Sequence, residues 1–274
     1  MNSAPMRHRF EQQSSFYSHQ GQDRWVIERV FPGKRDGWFI DAGAGPDGIK
    51  GSNTYALETL LGWKGLLVEP HPACFPRVRQ NRRVAVEQAC LTDRAGDLEF
   101  FLHDMPELST TAQDLSEPNA EAANYGRKDY QKVTVPGVPL WELLRRHNAP
   151  PVIEFMSLDV EGNEWVALEN FPFHEFRILA MSIERGAKSY ARLKAKLLGE
   201  GYRLAHVAGP DDFYVHSSVV YETTVAERID TWRRGLWNTL YFQEPLLTLR
   251  RVARAVRRFA RPEFDGTAEF RPKP

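Results

Sequence analysis

Cysteine is scarce: Cys74 and Cys90 are the two in 274 residues. So few exclude a disulfide framework and fit a reducing compartment, and both read as small buried apolar residues. Neither sign of charge is in excess. The 36 Lys and Arg balance 36 Asp and Glu, so the whole-chain field does not favour nucleic acid. No apolar run approaches the ~18 residues of a membrane span. Residues 1–15 are polar and hold no apolar core of a secretory signal. The expectation is a soluble, cytoplasmic protein: one large domain, or one domain with additions, long enough to bury a substantial core.

What is present centres on Gly37 to Gly51. Trp38-Phe39-Ile40 reads as a short buried strand. It runs into Asp41-Ala42-Gly43-Ala44-Gly45-Pro46-Asp47-Gly48, and a helical pattern follows with Ser52 or Asn53 as N-cap. Gly43 and Gly45 would let the backbone approach a ligand closely. Gly65 to Glu69 is a second buried strand ending in a carboxylate, which suits the hydroxyls of an adenosine ribose. The spacing speaks against a plain dinucleotide site. Asp41 stands at the strand end before the first glycine, where it would repel a pyrophosphate. A cationic or neutral nucleoside such as S-adenosylmethionine suits it better.

Further along, strands and helices alternate, which predicts a doubly wound α/β domain. Residues 24–31 read as a docking helix. Strands are expected near 84–89, 98–102, 132–136, 152–158, 178–184, 202–206 and 212–216. The turn at 93–97 reads as joining a hairpin-like pair. Residues 103–130 lack a period and read as a lid or as a surface excursion with a short helix near 120–123. Carboxylates end four predicted strands: Asp41, Glu69, Asp159 and Glu184. That is the edge where open α/β sheets bind ligands.

Several blocks together resemble the FkbM-type family of S-adenosylmethionine-dependent methyltransferases. They are Ser18-His19-Gln20-Gly21-Gln22-Asp23, Phe39 to Ala44, Ser52-Asn53-Thr54-Tyr55 and Gly62 to Pro70. Ser157-Leu158-Asp159-Val160-Glu161-Gly162-Asn163-Glu164 and Ser182-Ile183-Glu184 complete the set. The resemblance implies a class I methyltransferase (Rossmann-like) sheet of seven strands with an antiparallel last strand. To this are added an N-terminal helix and a basic C-terminal helical tail. It implies methyl transfer to a hydroxyl of a sugar, glycan or secondary-metabolite intermediate. It would place Gln22, Asp41, Gly43, Ala44, Gly45, Ser52, Asn53 and Thr54 at the cofactor, with Glu69 and Pro70 at its ribose and Cys90 and Leu91 beside its adenine. This chain departs from the family at His19, where glutamine is usual, at Gly45-Pro46, and at Arg185-Gly186. The expected division is 1–16 polar tail, 17–220 methyltransferase domain and 221–274 basic extension.

A hydroxyl is a poor nucleophile, so a base or a metal should take or polarise its proton. Asp159 is the first candidate base, and it would also border the cofactor. Glu161 is second, followed by Glu184 and, at a sheet end, His216. His103 and His206 are weaker candidates. The alternative is a divalent cation held by Asp159, Glu184 and Asp212, since carboxylates suit magnesium. Two other functions stay open: N-methylation on the same fold, and a non-catalytic nucleoside-binding scaffold. The acceptor is expected to be a small molecule or glycan. Arginines alternate with apolar residues over 246–261. That segment reads either as an element for the inner membrane surface or an anionic partner, or as a helix packed on the domain or in a homodimer.

Overall fold

The structure, a computed structural model, describes residues 16–106, 109–111, 131–185 and 189–242. The helix expected near 120–123, most of the predicted lid and the basic segment 246–261 lie outside the described residues. The chain divides into two compact units, residues 1–228 and 229–274.

The first unit is built on a seven-stranded sheet. Its strands are β1 (Trp38–Ala42), β2 (Lys64–Val68), β3 (Ala85–Glu87), β8 (Val152–Leu158), β9 (Arg177–Glu184), β10 (Tyr202–Ala208) and β11 (Asp211–His216). Their order is β10-β11-β9-β8-β1-β2-β3. β11 runs antiparallel to both neighbours, and the other pairings are parallel. This order, with its single reversed strand, is the class I methyltransferase sheet.

Both faces of the sheet are buried, which explains the unbroken apolar runs of its strands. Ile40, Leu66, Met156 and Met181 pack on one face. Phe39, Leu67, Phe155 and Phe213 alternate with them and pack on the other. Side chains one residue apart in a strand face opposite ways. Asp41 therefore shares the side of Phe39, not that of Ala42.

Among the described residues, six helices lie within the first unit and a seventh begins there. α1 (Gln22–Trp25) continues as a π-turn over Val26–Val30. Trp25, Val26, Ile27 and Val30 bury against the second face, so the predicted docking segment docks, with a wider last turn. α2 (Tyr55–Leu61), α3 (Phe75–Asn81), α4 (Leu140–Arg146), α5 (Glu164–Glu169) and α6 (Tyr190–Gly199) follow their strands. α7 (Val225–Phe242) starts in a capping box. Thr224 Oγ1 accepts the Glu227 N–H at 3.1 Å, and Glu227 Oε2 accepts that of Thr224 at 2.7 Å.

A smaller sheet lies between β3 and α4 in the chain: β4 (Cys90–Leu91), β5 (Gly96–Leu102), β6 (Thr110–Thr111) and β7 (Gln131–Val138), in the order β4-β7-β5-β6. Here the hairpin expectation fails. β5 pairs with β7 rather than with the strand before the turn, and β7 also pairs with β4. Among the described residues, no helix is long and apolar enough to cross a membrane.

Candidate active site

A cavity of about 490 Å³ lies along the edge where β1, β2, β8 and β9 end. Local sequence explains each wall. The first is the N-terminal block. Asp23 is fully buried, and its carboxylate accepts the Tyr17 N–H at 2.7 Å and the Ser18 hydroxyl at 2.5 Å. Gly21 takes φ 77 to close that turn. Gln22 is thereby aimed inward, and its amide donates to Asp211. The His19 ring lies over Gly51, where a Cβ would stand 2.7 Å from the ring.

The second wall is the glycine loop, Gly43 to Pro46. Gly43 has φ 86, and a Cβ there would come within 1.7 Å of the Asp159 carbonyl. Only a bare backbone lets β1 and β8 close at this point. Gly43, Gly45 and Gly48 do fall in the spacing G-x-G-x-x-G. A helix does not open there, however: α2 begins at Tyr55. The helix N-terminus that would cradle a pyrophosphate is missing from the loop.

Next to the loop stand Ser52 and Asn53. The N-cap of α2 is Thr54 rather than Ser52 or Asn53, and the Ser52 hydroxyl braces the turn before it by accepting N–H bonds from Thr54 at 3.3 Å and Tyr55 at 3.1 Å. Asn53 Nδ2 donates to Ser157 Oγ at 2.7 Å, and its Oδ1 is buried without a hydrogen-bond partner. A buried acceptor left unpaired is costly, and a ligand donor would relieve it.

The third wall carries Glu69, Pro70 and His71 after β2. Glu69 is 6 % exposed and its Oε1 accepts the His71 N–H at 2.9 Å. Ala89, Cys90 and Leu91 form an apolar strip beside it. Burial, then the nearby Glu69 charge, pushes the Cys90 thiol up to about 12, so it stays protonated and inert at neutral pH.

The last wall is acidic. Asp159, Glu161 and Glu184 each offer an oxygen within 4.8 Å of the other two. Glu161 adopts φ 54, an uncommon conformation for this residue type, and Gly162 follows at φ 103. Glu164 holds this bend: its Oε1 accepts N–H bonds from Val160 at 3.2 Å and Gly162 at 3.1 Å. Asn163 Nδ2 ties the bend to Leu91 O at 2.7 Å, and Thr110 Oγ1 ties it to Glu161 O at 3.1 Å. Crowding shifts the acids. The Asp159 charge, then burial, holds Glu184 well above the usual carboxylate range. Burial, with Asp159 adding, raises Glu164 and Asp211 each to about 7.

These shifts give a sign for stability. Folded Glu164 and Asp211 keep protons that the unfolded chain releases near pH 4, so their contribution is fully present below about pH 4 and is lost as pH rises to about 7. Between pH 5 and pH 8 the chelator-treated protein is expected to lose on the order of 2–3 kcal/mol from each of the two groups. Thermal melts read it. Glu164→Gln with Asp211→Asn should flatten the profile, and an equally steep profile in that variant would refute the assignment.

Of the residues expected at the site, Gln22, Gly43, Ala44, Gly45, Ser52, Asn53, Glu69, Pro70, Cys90, Leu91, Asp159, Glu161 and Glu184 line the cavity. Four do not, and each needs correction. Asp41 is 2 % exposed and turns away from the cavity, accepting the Thr54 hydroxyl at 2.5 Å, with the Arg82 guanidinium 3.8 Å off. Burial is the largest influence on Asp41 and raises it. Thr54 is buried in the same bonds. His216 ends β11, whose reversed direction carries it to the far edge, where it pairs with Ser218 at 2.7 Å. Asp212 faces away from the acids, toward the Tyr190 hydroxyl at 2.8 Å and Lys194 at 3.4 Å. The reversed strand brings Asp211, at its N-terminal end and paired with Glu184, into the place expected of those two. His206 packs on the Phe213 ring, 5.2 Å between centroids, and His103 accepts the Met105 N–H.

The sequence model of the Methyltransferase FkbM domain matches residues 41–204, more than half of the chain and nearly every wall described above. The chain belongs to the FkbM methyltransferase family. No curated protein matches it. Among solved structures, it is similar to the delta-N METTL16 MTase domain, at 16% identity and TM-score 0.36, with 78% of this chain and 82% of that chain covered. It is also similar to the human methyltransferase 10 domain containing protein, at 16% identity and TM-score 0.37, with 71% and 79% covered. Likeness of that degree carries no weight beside the strand order. For this FkbM chain the signal missed in sequence was Arg82, whose guanidinium is fully buried under the glycine loop.

Proposed function

We propose that this protein is an S-adenosylmethionine-dependent O-methyltransferase acting on a hydroxyl of a sugar, glycan or secondary-metabolite intermediate. The observation that carries the reading is one cavity with a nucleoside-type end and an acidic end. At the first end, Glu69 offers oxygens for ribose hydroxyls, and Ala89, Cys90 and Leu91 offer an apolar face for a base. Beside the glycine loop, the unpaired Asn53 Oδ1 suits a ligand ammonium. The donor set therefore fits the cofactor, whose sulfonium supplies the methyl group when bound.

The acids then divide the remaining work. The Asp159 charge, then burial, holds Glu184 well above the usual carboxylate range. Two close acids whose environments separate them in this way make an acid and a base. Asp159 takes the acceptor proton, and Glu184 and Glu161 orient the acceptor by hydrogen bonds. The Asp159 backbone abuts Gly43, and Asp159 lines the same cavity as the glycine loop. The same three oxygens would suit magnesium as an all-carboxylate set.

The test is transfer of a labelled methyl group from S-adenosylmethionine to matched panels of polyols, glycosides and amines, with and without chelator. Label in an alkali-stable ether on the hydroxylated panel is the expected result. Label on amines alone would establish N-methylation instead. Cofactor binding with no label in any panel would favour a non-catalytic scaffold.

A further inference from the structure

We infer that Arg82, which does not reach the cavity, is a positioning residue for the amino-acid end of the cofactor. This rests on the S-adenosylmethionine reading above. Arg82 follows α3, and its guanidinium is fully buried. Nε donates to Glu58 Oε2 at 2.5 Å. Nη1 donates to Gly48 O at 3.0 Å and to Ser52 Oγ at 3.2 Å, and Nη2 donates to Thr54 Oγ1 at 2.9 Å. The Asp41 carboxylate lies 3.8 Å away, and the Phe39 and Tyr55 rings lie 5.7 and 5.6 Å from the guanidinium carbon.

One side chain thus joins β1, the glycine loop, the Ser52–Thr54 turn and α2. A planar fork with fixed donor directions can do this, and a lysine ammonium cannot reproduce it. The key point is what lies between the two hydroxyls it holds. Ser52 and Thr54 flank Asn53, whose Oδ1 is the buried acceptor without a partner. Holding the turn on both sides fixes where that oxygen aims. The nucleoside end has separate supports: the His71 N–H on Glu69, and Asn163 on the Leu91 carbonyl. Arg82 should therefore matter for one end of the ligand and not for the other.

Arg82→Lys in the full chain tests this with two probes. S-adenosylhomocysteine carries both ends, whereas 5′-methylthioadenosine lacks the amino-acid end. Calorimetric titration should show S-adenosylhomocysteine weakened ~10-fold or more, a loss the size of one charge-assisted hydrogen bond, and methylthioadenosine changed less than about threefold. Should the melting curve show Arg82→Lys unfolded, Arg82→Met with Glu58→Gln removes both charges of the pair together and carries the same comparison. Equal losses for both probes, or unchanged S-adenosylhomocysteine affinity in a folded variant, would overturn the positioning role. Wild-type protein that binds neither probe would overturn the cofactor reading itself, and the positioning role with it.

Discussion

Asp159→Asn is expected to slow methyl transfer by about 10²–10⁴-fold, the usual range for losing a positioned general base. The substitution keeps shape and hydrogen-bonding capacity and removes the charge. Affinity for S-adenosylhomocysteine should stay within about threefold, because the ribose acid and the apolar strip are untouched. Two side effects follow from the same electrostatics. The Asp159 charge is the largest cause of the raised Glu184, so Glu184 should ionise at lower pH in the variant. The folded state should also become more tolerant of neutral pH, since Asp159 adds to the raising of Glu164 and Asp211. Undiminished turnover in Asp159→Asn would show that the proton leaves by another route. Turnover that is lost in the wild type on adding chelator, and restored by magnesium, would transfer the role of Asp159 from base to ligand.

Glu69→Ala should weaken S-adenosylhomocysteine by about 100-fold or more. The reasoning is that hydrogen bonds to a charged acceptor are each worth roughly 1.5–3 kcal/mol, and a ribose presents two hydroxyls. Glu69 is held ready by its place at the end of β2, buried and braced on the His71 N–H. Glu69→Gln keeps an acceptor and loses the charge, so it should fall between wild type and Glu69→Ala. A melting curve beside each titration separates a lost ligand contact from a lost fold. Equal affinity in all three proteins would place the ribose elsewhere.

Much of this site was legible before any coordinates. β1, β2, β8 and β9 are continuous apolar runs because both faces of the sheet are covered, and the carboxylates just beyond them mark the ligand edge. What failed did so for local physical reasons. Asp41 looked like an edge residue, but β1 runs on through Ala42, and alternation turns the Asp41 carboxylate toward Thr54. Asp212 and His216 lie on the antiparallel last strand, which turns the first toward Tyr190 and carries the second to the opposite edge. Reversal of β11 exchanges its ends, so Asp211 meets Glu184 instead. The hairpin around residues 93–97 failed because β7 arrives from beyond a long excursion, and no local pattern announces such a partner. Arg82 had no motif at all. Its partners Glu58 and Gly48 lie 24 and 34 residues away, so only the folded chain reveals the network. By contrast, the block ending in Gln22-Asp23 carried its own logic, since Asp23 closes a turn five and six residues long.

The central claim is that this cavity holds the S-adenosyl nucleoside with its amino-acid end at Asn53 and its ribose at Glu69. Calorimetric titration of the purified wild-type chain with S-adenosylhomocysteine tests it most directly. The expected result is one site per chain with micromolar affinity, about −8 kcal/mol, that is lost in Glu69→Ala. An absence of binding by folded wild-type protein, repeated in the presence of hydroxylated acceptors and magnesium, would contradict it.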